Sequence, residues 1–102
     1  MYTPLREKYI NELKSLSCNF QENTAIMHME GYSYRAHFVN GYGVSIVKHD
    51  GSYGREENKW EIAVLKGDEL CYDTPVTDDV IGWLTGPEVV DYAKQIAALP
   101  AA

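Results

Sequence analysis

The hydrophobic residues of this chain recur first with a helical period and then with the period of strands. Over residues 4–16 the apolar positions share one helix face: Leu5, Tyr9, Leu13 and Leu16. Thr3 is a preferred N-cap residue, and Pro4 suits the first helical position. We therefore predict an amphipathic helix over 4–16, after which Phe20 folds back onto the core.

From residue 24 onward the period becomes two, which is typical of strands with one buried face. The runs with this alternation are TAIMHMEG (24–31), YSYRAHFV (32–39), VSIVKH (44–49), WEIAVL (60–65) and ELCYDTPV (69–76). Asn40-Gly41 favours a type I′ hairpin turn, because both residues accept positive φ angles. Pro75 excludes a central strand position near the end of the last run. The pattern predicts an antiparallel meander of four to five strands.

Each strand run has a predicted core face. The residues on that face include Tyr34, Ala36, Phe38, Val44, Ile46, Trp60, Ile62 and Val64. In YSYRAHFV, Ser33, Arg35 and His37 lie opposite the apolar face, and in VSIVKH, Val44 and Ile46 lie opposite Ser45, Val47 and His49. The segment KHDGSYGREENKWE at 48–61 is then the long connection between two central strands, because about ten residues separate them where two to five are usual in a hairpin.

The C-terminal part of the chain has helix signals. Thr77 precedes DDVIGWL (78–84), whose acidic first turn favours a short helix. Thr85 and Glu88 form a capping box at the start of a last helix, which Pro100 ends. We predict a single domain, residues 1–102, with an α+β fold: an antiparallel meander with an N-terminal helix and C-terminal helices packed on one face. A small curled barrel built from the same strands is the main alternative.

Composition and charge narrow the function classes. The chain has 102 residues, is 45% hydrophobic and carries a net charge of −6. Acids and bases balance up to Lys66, and the excess lies in Asp68, Glu69, Asp73, Asp78, Asp79, Glu88 and Asp91. Direct nucleic-acid binding is disfavoured because it requires clustered bases. This acidity serves solubility or engages a basic partner. No apolar run approaches the length of a membrane span, and the N-terminus lacks a signal-peptide core, so we expect a cytoplasmic protein without membrane contact.

No catalytic, metal or cofactor motif is present. His49 and Asp50 beside Ser45 and Ser52 have residue types of a nucleophile and its base, but no motif fixes their geometry. The sequence DGSYGREENKWE lacks two acids of a calcium loop, and the histidines lack ligand spacing. The glycines lack a phosphate-loop pattern. We expect no enzyme activity, no cofactor and no metal.

Exposed aromatic and charged side chains indicate an interaction surface. Tyr42 and Tyr53 lie in predicted turns, and Tyr53 has Arg55 beside it; Tyr and Arg are enriched at binding hot spots. The alternative for Tyr53 is that it folds over Trp60 as a lid. The predicted partner-binding residues are Tyr42, His49, Asp50, Tyr53, Arg55, Glu56, Glu57, Asp68, Glu69, Asp78 and Asp79.

The runs GYGVSIVKHDGSYG, WEIAVL and ELCYDTPVTDDVIGWLT, within about residues 41–85, resemble a group of small uncharacterised proteins of tailed phages and prophages. That group has no agreed activity, so no residue role is carried over. A phage origin implies the host cytoplasm and a stoichiometric mode of action, such as inhibition of a host enzyme or defence complex.

We therefore predict a small acidic binding protein of phage type, which acts by protein–protein contact with a host or phage protein. The contact involves the 48–61 segment and the acidic C-terminal third. The alternative is a small-ligand or nucleotide-derivative binding protein, with a homodimer as one arrangement.

Overall fold

The computed structural model describes residues 2–22 and 30–102. Two helices and six strands follow the order α1 (Glu7–Leu16), β1 (Asn19–Glu22), β2 (Gly31–His37), β3 (Tyr42–His49), β4 (Trp60–Lys66), β5 (Glu69–Leu70), β6 (Ile81–Leu84) and α2 (Gly86–Ala97). All six strands form one antiparallel sheet, and the fold is α+β as predicted. Residues 24–29 of the predicted strand at 24–31 lie outside the described residues.

The sheet is a meander in which neighbouring strands follow one another from β1 to β5. The register pairs Tyr34 with Ile46, and Ile46 with Ile62, so the predicted core faces of β2, β3 and β4 coincide. One edge of β4 pairs with β3. Along its other edge, β6 pairs with the N-terminal end of β4 and β5 pairs with its C-terminal end. The core between sheet and helices includes Ala36, Val44 and Val64, as the alternation predicts.

The first helix starts later than predicted, at Glu7 rather than residue 4. The Thr3 carbonyl accepts a hydrogen bond from Lys48 Nζ at 3.1 Å, and the Thr3 backbone N–H donates to Asn58 Oδ1 at 3.1 Å. These long-range bonds hold the segment before the helix against the sheet, so Thr3 is not available as an N-cap. Arg6 stands at the N-cap, with an extended backbone and no side-chain capping bond.

The hairpin at Asn40-Gly41 is confirmed, but its type I′ turn is wrong. Gly41 has a positive φ of 92°, whereas Asn40 is not among the residues with positive φ. The Gly41 N–H donates to Phe38 O, and the Phe38 N–H donates to Tyr42 O, which defines a three-residue loop with glycine in its last place. The Asn40 amide is needed elsewhere: its Nδ2 donates to the carbonyls of Ile96, Ala97 and Leu99 at the end of α2.

The predicted helix at 78–84 is also wrong, because residues 81–84 form strand β6 beside β4. The Thr77 hydroxyl does accept a hydrogen bond from the Asp79 N–H, but this local turn is followed by strand rather than helix. Pairing with the unfilled edge of β4 outweighs the weak local preference of a glycine-containing heptapeptide. Phe20 lies in β1 rather than in a loop, although its ring stacks on Tyr34 as the predicted return to the core requires.

The last helix begins with the predicted capping box. Thr85 Oγ1 accepts from the Glu88 N–H, and the Glu88 carboxylate accepts from the Thr85 N–H at 3.0 Å. These bonds to Thr85 lower the pKa of the Glu88 carboxyl group. The buried face of α2 consists of Val89, Val90, Ala93 and Ile96, which pack on the sheet.

Candidate functional site

The connection between β3 and β4 is an ordered loop with its own polar network. Its middle forms a 3₁₀ turn over Arg55–Glu57. Arg55 Nη1 donates to the Ser52 carbonyl at 3.0 Å and pairs with the Glu56 carboxylate at 3.2 Å. Glu57 pairs with Lys59 at 3.2 Å. Glu56 and Glu57 therefore each have an ion-pair partner within the loop, although both carboxylates are mostly exposed.

His49, Asp50 and Ser52 are not arranged as a nucleophile and its base. Ser52 is buried, and its hydroxyl donates to the His49 carbonyl and accepts from the His49 N–H. The His49 imidazole Nδ1 instead accepts from the Gly51 N–H at 3.0 Å. Asp50 accepts a hydrogen bond of 2.6 Å from the Tyr2 hydroxyl, and this bond raises the pKa of Tyr2. These groups hold the start of the loop.

Tyr53 and Trp83 form an exposed pair of stacked rings. Their centroids lie 5.6 Å apart, and the ring planes are inclined by 25°. Tyr53 is 56% exposed and Trp83 is 48% exposed, so the outer faces of the rings are open to solvent. The expectation of Tyr53 as a lid over Trp60 is wrong: Trp60 is buried and packs against Tyr34, while Tyr53 covers Trp83.

A bulge in β6 brings Trp83 to the surface. Between the pairs Trp60–Leu84 and Ile62–Ile81, β6 places two residues opposite one residue of β4. Trp83 itself has a φ of 56°, in the left-handed region that a bulky residue rarely adopts. Bulges occur next to functional sites because they re-aim side chains. The sequence analysis assigned Trp83 to a helix and therefore missed it.

Two glycines allow the loop and β6 to approach this closely. A Cβ atom on Gly54 would lie 2.9 Å from the backbone of Trp83, and one on Gly82 would lie 2.5 Å from the Tyr53 Cβ. The Tyr53 N–H also donates to the Glu61 carboxylate at 3.0 Å. We call Tyr53, Trp83 and Glu61 the aromatic surface. The loop and β6 are therefore closely packed where the two rings emerge.

The predicted partner-binding residues are not gathered on one surface. Tyr42 pairs with Lys66, at the opposite end of β4 from Trp60, and Asp68 and Glu69 follow at that same end. Because β4 has seven residues, its ends lie about 20 Å apart. Tyr42 is in β3 rather than a turn and packs on the core. The structure therefore separates Tyr42, Asp68 and Glu69 from the loop residues.

The other predicted acids also have local roles. The Asp68 carboxylate lies 3.8 Å from the His37 imidazole. The Asp79 side chain accepts from the Val80 N–H at 2.7 Å, and Asp78 lies beside it in the segment before β6. The acidic C-terminal third is therefore spread over several places in the fold.

A cavity of about 300 Å³ lies on the other side of the loop, between the N-terminal segment, β3, β4 and the start of α2. Its wall includes Lys48, whose side chain is only 2% exposed. The Lys48 ammonium donates to the Thr3 carbonyl and lies 4.1 Å from the centroid of the Trp60 ring. Burial lowers the pKa of Lys48 to about 8. A buried titratable group in a cleft is a recognised sign of a functional site.

The sequence contains a signal for the unusual environment of Lys48. Alternation in VSIVKH places Lys48 on the same face as Val44 and Ile46, and both of these residues are fully buried. A charged residue on a predicted core face is rare, so its position alone indicates a special environment. Lys48 is thus a buried strand residue and not only the first residue of the long connection.

No cluster of three or more His, Cys, Asp or Glu side chains suited to a metal occurs in the described part of the chain. Across residues 2–22 and 30–102, neither helix has the length and apolar character that a membrane crossing needs. No family model, curated protein or solved structure matches the sequence. The resemblance to phage proteins therefore stays a prediction.

Proposed function

We propose that the protein is a binding protein whose aromatic surface engages another protein. The observation that carries this proposal is the stacked Tyr53–Trp83 pair, about half exposed and held by a bulge with Trp83 at positive φ. A bulky residue in this conformation costs about 1–3 kcal/mol. Backbone strain of this kind is found mainly at binding and active sites, which favours a functional role for the exposed tryptophan.

The aromatic surface has the properties of a binding hot spot. Tryptophan and tyrosine are enriched among the residues that dominate binding free energy. Rigid rings lose little conformational entropy when a partner arrives, because the loop and β6 already fix their backbones. The surface therefore supplies contact area without a large ordering cost.

The charge of the chain favours a partner with cationic side chains. The outer faces of Tyr53 and Trp83 attract a guanidinium or ammonium group, and the Glu61 carboxylate lies next to the Tyr53 backbone. The net charge of −6 attracts a basic protein over a longer range. In this proposal the partner inserts an Arg or Lys side chain against the rings, and stoichiometric inhibition of a basic target is the corresponding biological role.

The test is selection of random displayed peptides on the immobilised protein. We expect enriched peptides to contain Arg or Lys and to bind Tyr53→Ala and Trp83→Ala at least tenfold more weakly, the loss of about 1.4 kcal/mol or more typical of a hot spot. The matched control is Tyr72→Ala, because Tyr72 is similarly exposed at 44%. Peptides that bind all three variants as tightly as the wild type would contradict the proposal.

A further inference from the structure

Among the described residues, Lys48 is a buried cation for which no carboxylate forms an ion pair. Its ammonium contacts the Thr3 carbonyl at 3.1 Å, the Thr3 hydroxyl at 3.4 Å and the Trp60 ring at 4.1 Å. Among the described residues, no ion pair includes Lys48. A buried charge is normally paired, because its removal from water is expensive. The fold therefore maintains a cation in this position without supplying the matching negative charge.

The cavity beside Lys48 is lined by further bases and by no acid. Lys59 and Arg6 line it together with Lys48, and none of its lining residues among those described is Asp or Glu. Lys59 is paired with Glu57, which lies outside the cavity wall. Arg6 is exposed and has no ion pair within the described part of the chain. Three positive groups from separate parts of the chain therefore surround one concave space.

Apolar and neutral polar groups supply the rest of the wall. Pro4, Leu5, Trp60 and Pro87 are apolar, and the neutral polar residues include Thr3, Asn58 and Thr85. A volume of about 300 Å³ is at the lower end of the range for small-molecule sites. Ligand pockets typically combine an apolar wall with a few polar groups that orient the ligand. This combination fits a small molecule with an apolar body and a single anionic group.

We infer that this cavity binds a small organic anion, whose phosphate or carboxylate group is held by Lys48, Arg6 and Lys59. This site is separate from the aromatic surface, because Tyr53 and Trp83 do not line the cavity. The anion supplies the negative charge that the fold leaves out around Lys48. Anion binding in the cavity and protein binding through the rings are therefore independent proposals.

The two tryptophans allow the site to be observed directly. Trp60 lines the cavity and Trp83 does not, so a Trp83→Phe protein has Trp60 as its single tryptophan. We expect phenyl phosphate or benzoate to change the Trp60 fluorescence with saturation. Benzyl alcohol has the ring without the charge and is expected to bind at least tenfold more weakly. Comparison of phenyl phosphate with benzoate identifies the preferred charged group. The same probes are also tested for their effect on the melting temperature of the wild-type chain. This second measurement detects binding without the Trp83→Phe substitution.

Substitution of the cavity bases decides the assignment. We expect Lys48→Met and Arg6→Met each to weaken binding of the charged probe about tenfold, since each removes a charge-assisted hydrogen bond. Lys66→Met is the matched control, because Lys66 is exposed at the far end of β4 and should leave binding unchanged. Arg6 is on the surface, so its variant remains informative if Lys48→Met fails to fold.

Two results would overturn the inference. The first is an absence of any response, in fluorescence and in melting temperature, to both phenyl phosphate and benzoate at millimolar concentration. The second is binding that benzyl alcohol matches, or that neither Lys48→Met nor Arg6→Met weakens relative to Lys66→Met. Either result would make the cavity an ordinary surface recess with a buried structural lysine.

Discussion

The Lys48 ammonium lies 4.1 Å above the Trp60 ring, and these two residues are the last-but-one residue of β3 and the first residue of β4. The cation–π contact therefore closes the base of the long loop between those strands. A buried indole attracts a cation through its ring quadrupole, but it provides less stabilisation than a carboxylate. Lys48 is held in place by this contact and by Thr3, and it remains electrostatically uncompensated.

The stability of the protein should rise with pH because of Lys48. Its folded-state pKa of about 8 lies below the ordinary value of 10.5, so between these values the unfolded chain binds the proton and the folded chain does not. We expect the free energy of unfolding to increase by about 2 kcal/mol from about pH 7 to about pH 9.5. Urea unfolding at a series of pH values measures this increase.

The control for this pH dependence is Lys48→Met, which should remove the increase, whereas the exposed Lys66→Met should keep it. The series stops below about pH 10 because of Tyr34, whose pKa is raised by burial in the folded state. Above that pH the tyrosine ionises in the unfolded chain before it ionises in the folded chain, which lowers the free energy of unfolding. An unfolding free energy that changes equally with pH in the wild type and in Lys48→Met would assign the effect to other groups.

Asn40 links the β2–β3 hairpin to the end of α2. Its Nδ2 donates to the carbonyls of Ile96 and Ala97 in the last turn of the helix and to that of Leu99 just beyond it, and its Oδ1 accepts from the Tyr42 N–H at 3.0 Å. We expect Asn40→Ala to destabilise the protein by about 1–3 kcal/mol, because it leaves helix carbonyls and one strand N–H without these partners. Denaturant unfolding measures the loss. Asn11→Ala, on the exposed side of α1, should change stability by less than about 0.5 kcal/mol.

Gly54 is required where the loop crosses β6. A Cβ at Gly54 would lie 2.9 Å from the Trp83 backbone, whereas one at Gly67 would meet nothing within 4 Å, and both glycines have positive φ. We expect Gly54→Ala to lose about 1–3 kcal/mol more stability than Gly67→Ala, since both variants have backbone strain and only the first has the steric clash. Equal losses in urea unfolding would show that the loop moves away from β6 at little cost.

The sequence predicted the elements that depend on local pattern, and it failed where distant contacts decide. Alternation identified the core faces of β2, β3 and β4, and the capping box located the start of α2. The helix start at Thr3 was wrong because Lys48 and Asn58, far along the chain, bind that residue. The strand β6 was missed because its partner is the free edge of β4, which no local pattern reveals.

The candidate sites show the same division. Tyr53 and Arg55 were predicted as partner-binding residues, and the structure places both in the loop between β3 and β4. The ring that stacks on Tyr53 comes from β6, about thirty residues later in the chain. The cavity likewise brings Arg6, Lys48 and Thr85 together from three separate segments. Lys48 could be identified from the sequence, because the alternation places it on an apolar face. The free-energy cost of burying its charge becomes apparent only from its surroundings in the fold.

At position 83 we expect a glycine variant to be more stable than an alanine variant, which is the reverse of the usual order in a strand. At a φ of 56° an L-residue is strained by about 1–2 kcal/mol, and glycine is not. Trp83→Gly and Trp83→Ala both remove the stacking on Tyr53, so their difference isolates the backbone strain. We expect Trp83→Gly to be the more stable variant by about 1 kcal/mol in urea unfolding. At Ala63, a buried position of β4 without positive φ, glycine should instead be less stable than alanine, in the normal order. If Trp83→Ala were as stable as Trp83→Gly, the bulge would relax once the ring is gone, and the exposed tryptophan would owe its position to stacking rather than to a fixed backbone.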